Sequence, residues 1–109
     1  MSLRVAVAST DGKYVNDHFG RAKQFLIFDL FETEYRFLEI RPNIPSCNWE
    51  NTEENRHLKT VELLGDCQVI LVARIGPGAE RFLNEHGIKV LVIPNFIDEA
   101  FEELRQILL

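Results

Sequence analysis

Cysteine is scarce in this 109-residue chain: only Cys47 and Cys67 occur. Two thiols can form neither a disulfide framework nor a Cys-only tetrahedral metal site within one chain. Long apolar runs are absent, and nothing approaches the roughly 20 residues that span a bilayer. The start, Met1-Ser2-Leu3-Arg4, runs straight into a strand pattern without the features of a signal peptide. A cytoplasmic protein without membrane contact is expected. Positive charge is also short, with 12 Lys and Arg against 17 Asp and Glu, a formal −5. Proteins that grip nucleic acid through its phosphates usually show a basic face, so no nucleic-acid partner is expected.

Carboxylates are missing where a metal-dependent nuclease would need them. Such an enzyme converges acids on ions roughly 3.5–4 Å apart. The two strand patterns best placed to supply them, 3–8 and 68–73, carry none, and only Asp11 and Asp17 lie near. Hydrolysis is the weakest of the readings.

What is present is an ordinary core composition, 46 % hydrophobic with eight Phe. At this length folding buries roughly two-thirds of the chain's surface, enough for one domain over residues 1–109. The apolar patterns predict strands at 3–8, 24–31, 35–41, 68–75 and 89–93. In the third, Tyr35, Phe37 and Glu39 should share one face and Arg36, Leu38 and Ile40 the other. A helix capped by Asn51 or Thr52 should bury Leu58, Val61 and Leu64. A second follows Gly76-Pro77-Gly78, buries Ala79, Phe82 and Leu83, and stops at Gly87. The last runs from Asp98 to Leu108 on a stripe of Ala100, Phe101, Leu104 and Leu108.

The order β-β-β-α-β-α-β-α predicts an α/β fold. Short connections make the first three strands an antiparallel meander, and right-handed βα units add the rest. A mixed five-stranded sheet of order 3-2-1-4-5 results, with strand 2 antiparallel and three helices packed on it. This is the ribonuclease-H-like motif.

That topology sorts the loops. The connections at 9–23, 42–50, 76–78 and 94–96 all fall at one edge, so His18, Cys47, the Gly-Pro-Gly turn and Asn95 should meet. Strands 1 and 4 are neighbours whose connections leave in opposite directions, and ligands favour the crevice at such a point. His86 and Cys67 fall at the other edge, Cys67 as core packing. His18 can serve as metal ligand, base or hydrogen-bond donor, or can simply cap its loop. Cys47 can be a soft thiolate ligand or a small packed residue. Gly76 and Gly78 open a helix whose free N–H groups suit an anion, and Arg21 and Arg74 can add positive charge. His57 lies about two turns into the first helix, and Trp49 can cover a ligand or anchor its loop.

The stretch Asn16-Asp17-His18-Phe19-Gly20-Arg21-Ala22, followed by a Phe-rich strand, resembles the signature of the dinitrogenase iron–molybdenum cofactor family. That family includes the NifX and NafY carriers and the C-terminal domain of NifB. Ala73-Arg74-Ile75-Gly76-Pro77-Gly78-Ala79 looks like its second half, and the likeness runs from Arg4 to Leu108. The resemblance implies a stand-alone carrier and not an enzyme. Such a carrier binds an iron–molybdenum cofactor or an iron–sulfur precursor transiently and passes it to a protein partner. It makes His18 the first candidate cluster contact and Cys47 the second, with Arg21, Gly76 and Gly78 completing the site. A regulatory or interaction module that binds a small anion or a partner at the same edge is the alternative.

Overall fold

The computed structural model describes residues 2–43 and 53–108. The strands are β1 (Leu3–Val7), β2 (Gln24–Leu30), β3 (Tyr35–Pro42), β4 (Val69–Val72) and β5 (Lys89–Val92); the helices are α1 (Glu53–Leu63), α2 (Pro77–Glu85) and α3 (Ile97–Leu108). They form one sheet of order β3-β2-β1-β4-β5. β2 runs antiparallel to β1 and β3, while β1, β4 and β5 are parallel. Order and directions match the expectation. No helix among the described residues is long and apolar enough to cross a membrane.

Strand alternation divides the core into two layers. Ala6, Ala8, Ile27, Ile70, Val72 and Val90 point to one face, where Leu64, Ala79 and Leu83 from the α1 and α2 region cover them. Val5, Val7, Leu26, Phe28 and Leu71 point to the other, beneath Ile97, Ala100, Phe101 and Leu104 of α3. β4 is buried along its whole length, because both faces are covered. Gly87 ends α2 with φ 82°, a left-handed conformation that favours glycine, and Ile88 N–H donates to Leu83 O at 3.0 Å.

Several details differ from the sequence reading. β4 stops at Val72, not Ile75, because the chain then leaves the ladder to pair with the loop after β1. In β3, Leu38 is an extra residue: Ile27 opposes Glu39 while Phe28 opposes Phe37. This β-bulge breaks the alternation, so Ile40 joins the Phe37 face and Glu39 turns to the other. Leu58 is exposed, and among the described side chains α1 meets the core through its last turn and the turn beyond. Phe82 is half-buried and stacks on His86 with ring centroids 4.3 Å apart. The proposed helix caps Asn51 and Thr52 lie outside the described residues.

Candidate functional site

The sheet edge at the carboxyl ends of β1, β4 and β5 is organised by the 8–23 segment. Its backbone is stitched to each of its described neighbours. Phe19 N–H donates to Arg74 O at 2.9 Å, and Ala73 N–H donates to Asp17 O at 3.0 Å. Val15 N–H donates to Asn95 O and Ile97 N–H donates to Lys13 O, at 2.9 and 2.8 Å. Asn43 closes the third side, its N–H donating to Lys23 O and its side-chain amide to Ala22 O, both at 2.8 Å. Of the segments predicted to meet, 9–23 is joined by backbone bonds to Asn95, to Ala73 and Arg74 just before the Gly76-Pro77-Gly78 turn, and to Asn43; residues 44–50, with Cys47, lie outside the described residues.

Local chemistry shapes the loop itself. Asp11 accepts hydrogen bonds from Lys13 N–H, at 2.9 Å, and Tyr14 N–H, at 3.1 Å, and these hold its carboxyl below the usual carboxylate range. Asp17 accepts the His18 N–H at 3.1 Å. Tyr14 O–H donates to Pro94 O at 3.0 Å, and its ring meets Phe96 edge-on. Sequence reasoning passed over Tyr14 and Asn43. Their roles depend on long-range backbone partners, which leave no pattern in the sequence around them.

The His18–Ala22 segment is one turn of 3₁₀ helix over Phe19–Arg21. Phe19 and Ala22 are buried in the α2-side core, with Phe19 6.3 Å from Phe25 between ring centroids. His18 is half-buried, and Gly20 and Arg21 are exposed. Two side chains anchor the turn and the rest are presented outward. Among the described residues the His18 imidazole has no hydrogen-bond partner, and Arg21 and Arg74 form no ion pair. Their backbones are adjacent: Arg21 N–H donates to His18 O at 3.1 Å, and His18 bridges to Arg74.

α2 begins beside this turn. Gly76 is its N-cap and Pro77 its first residue, and the first intrahelical bond runs from Glu80 N–H to Gly76 O at 3.0 Å. The N–H groups of Gly78 and Ala79 precede that bond, so they have no partner within the helix, and none among the described backbone. A Cβ placed on Gly20, Gly76 or Gly78 would meet nothing within 4 Å, and none of the three has positive φ. Neither packing nor backbone strain within the described chain demands glycine there. What glycine does is leave bare backbone facing outward along the edge.

The other candidates separate cleanly. Cys67 is buried at the amino end of β4, away from this edge, and burial pushes its thiol up to about 12. His86 ends α2 on that same far side, its Nδ1 2.8 Å from Phe82 O. His57 falls within α1, and its side chain lies outside the described set. Cys47 and Trp49 also lie outside the described residues. Among the described residues no group of three or more His, Cys, Asp and Glu could hold a metal ion.

Comparison with known proteins gives a consistent picture. The sequence pattern of the family described as "dinitrogenase iron-molybdenum cofactor" matches residues 1–107. The FeMo cofactor biosynthesis protein NifB of Frankia alni is 33 % identical over 103 residues, covering 92 % of this chain and 20 % of that protein. Protein NifY of Azotobacter vinelandii is 29 % identical over 109 residues, covering 98 % of this chain and 43 % of NifY. The chain thus spans between a fifth and less than half of these curated relatives. The apo structure of the orange protein from Desulfovibrio gigas superposes with a TM-score of 0.69 at 22 % identity, over 95 % of this chain and 88 % of that one. That likeness is one of fold.

Proposed function

The chain belongs to the dinitrogenase iron–molybdenum cofactor family, and from that premise we propose that it is a carrier. Its cargo is an iron–molybdenum cofactor or an iron–sulfur precursor, bound transiently and handed to a protein acceptor. In this reading residues 1–109 are one domain with a ribonuclease-H-like motif, and they bind and deliver without catalysing a reaction.

The observation that carries the proposal is the half-buried His18 imidazole, without a hydrogen-bond partner among the described residues, on an edge with bare glycine backbone and with two arginines that form no ion pair among those residues. Imidazole is a good ligand for iron. Arg21, Arg74 and the free N–H groups of Gly78 and Ala79 suit an anionic cluster. Gly20, Gly76 and Gly78 let a bulky cargo approach the backbone. Cys47, which follows β3 in the sequence and lies outside the described residues, is the second ligand we propose, since a thiol can supply a soft thiolate donor. A single imidazole, with at most one thiolate, holds a cluster less tightly than a closed four-ligand cage. That suits a protein that must release its cargo. The small donor set also keeps one alternative open, a module that takes a simple anion at the same edge with no cluster at all.

Anaerobic titration of the protein with isolated iron–molybdenum cofactor, followed by its visible absorption and by gel filtration, tests the assignment. The wild-type chain should bind about stoichiometrically. His18→Ala should weaken binding at least about tenfold, the loss of one good ligand, with thermal stability unchanged. Equal binding by both proteins removes His18 from the site. Binding of molybdate or phosphate, but of no cluster, replaces the carrier with the anion module.

A further inference from the structure

Arg74 stands opposite His18 in the backbone register. The two are partners in a parallel bridge. Phe19 N–H donates to Arg74 O at 2.9 Å and Ala73 N–H donates to Asp17 O at 3.0 Å, so the peptide groups on either side of His18 are tied to the chain leaving β4. Residues opposed in a parallel pair carry their side chains to the same side, on backbones roughly 4.8 Å apart. The fold thus sets a guanidinium beside the imidazole. Arg74 is exposed and forms no ion pair among the described residues.

An imidazole on its own takes up bare divalent transition-metal ions as well as clusters. Asp17 adds to that tendency. It puts a carboxylate next to His18 in the chain; its Oδ1 accepts the His18 N–H at 3.1 Å, and a carboxylate has capacity for more. Carboxylate and imidazole together are a usual donor pair for such ions. A guanidinium held beside them acts the other way: it repels each positive charge brought to His18 and draws in an anionic species. Arg21 adds positive charge to the same turn, but the bridge holds only Arg74 opposite His18.

We propose that Arg74 is the specificity-determining residue of this edge, admitting anionic metal species to His18 and turning away bare divalent cations. Resting on the carrier reading above, this role narrows the cargo to metal held inside an anionic cluster, as opposed to the free ion. It also explains how so open a donor set stays clear of stray metal. Selection is electrostatic, with no bond made or broken by Arg74, and it weakens as salt rises.

Titration of the intact chain with cobalt(II) at low ionic strength, followed by paramagnetic broadening of the histidine ring protons, reads cation entry without any cofactor. His86, exposed at the carboxyl end of α2, is the internal reference. Arg74→Gln should raise the cobalt affinity at His18 about fivefold, the effect of removing one charge near a divalent ion, and leave His86 unchanged. The gain should vanish at about 0.5 M salt. Arg74→Lys keeps the charge and should match wild type. Both variants should melt with wild type, since the side chain is exposed and forms no ion pair among the described residues. In a parallel titration with isolated iron–molybdenum cofactor, Arg74→Gln should bind about fivefold more weakly than wild type, and Arg74→Lys about as well. Equal, or equally absent, cobalt binding at His18 in wild type and Arg74→Gln overturns the proposal. So does cofactor binding that Arg74→Gln leaves undiminished. A protein that takes no cofactor yet shows the cobalt difference loses the carrier role and keeps Arg74 as the residue that turns cations away.

Discussion

Two groups of arginines in this molecule have opposite fates. Arg4 and Arg41 are held by acids. Arg4 bonds Asp29 and Asp66, both at 3.1 Å, and Arg41 bonds Asp66 at 2.6 and 2.8 Å and donates to Leu63 O at 2.9 Å. This network ties β1, β2 and β3 to the turn before β4. Arg21 and Arg74, on the edge proposed to take the cargo, have no such partners among the described residues. Two acids of the same loop are engaged otherwise: Asp11 and Asp17 accept its backbone N–H groups. Net charge therefore says little about the site. A chain of formal charge −5 can still place cations without ion-pair partners among the described residues on one edge, because the nearby Asp11 and Asp17 are taken up by backbone N–H groups.

The largest test of this contrast is Phe19→Ala. Phe19 belongs to the core yet carries His18 and Arg21 on either side of it, so it couples the edge to the fold. Its loss should cost about 3–4 kcal/mol of stability, as for buried Phe→Ala changes in general, measured by denaturant unfolding. Cargo binding should fall with it even at temperatures where the variant is folded, because the turn has lost its anchor. A variant that loses stability but binds normally would show that the edge is positioned by its backbone bonds alone.

Much of this was legible in the sequence, and the reasons are physical. Strand order followed from apolar runs, short connections and the handedness of βα units, all local or statistical rules. The shared edge then followed from the order. The turn carrying His18 could be placed there before its geometry was known, and so could Gly76 and Gly78. What the sequence hid came from long-range partners. The bulge at Leu38 depends on how β2 opposes β3. The early end of β4 depends on Asp17 and Phe19 bonding to Ala73 and Arg74. Leu58 fits a helical stripe, yet it is exposed, while Val61 and Leu64 further along pack on the core. The pairing of Asp66 with two arginines from separate strands has no local signature either.

Asp66→Asn probes the other half of the contrast. The Arg41 and Arg4 guanidiniums hold the Asp66 carboxyl well below the usual carboxylate range, Arg41 foremost. A depressed folded-state pKa stabilises the fold above the unfolded value, near 3.9, and that stabilisation fades as pH falls through the lower folded value. At neutral pH the variant should lose about 1–2 kcal/mol, the scale of charge-assisted hydrogen bonds at a half-exposed carboxylate. The gap between wild type and variant should close as pH drops below about 4. Cargo binding at pH 7 should be unchanged. A gap that persists undiminished in acid would mean that Asp66 acts through packing instead of charge.

Gly78→Ala carries the smallest effect and separates the two regions most sharply, because it should move stability and binding in opposite directions. Gly78 sits in the first turn of α2 with helical backbone, and its added Cβ meets no described atom within 4 Å. Alanine restricts the unfolded chain and favours the helix, so the melting temperature should rise, by an amount equivalent to about 0.5 kcal/mol. The same methyl projects into the space where cargo would approach the free N–H groups, so affinity for the cofactor should fall. In the paired network no such opposition is expected: Asp66→Asn should cost stability and leave binding unchanged. A variant that is more stable and binds as well as wild type would place the cargo away from the α2 terminus, leaving His18, Arg21, Arg74 and Cys47 as its candidate contacts.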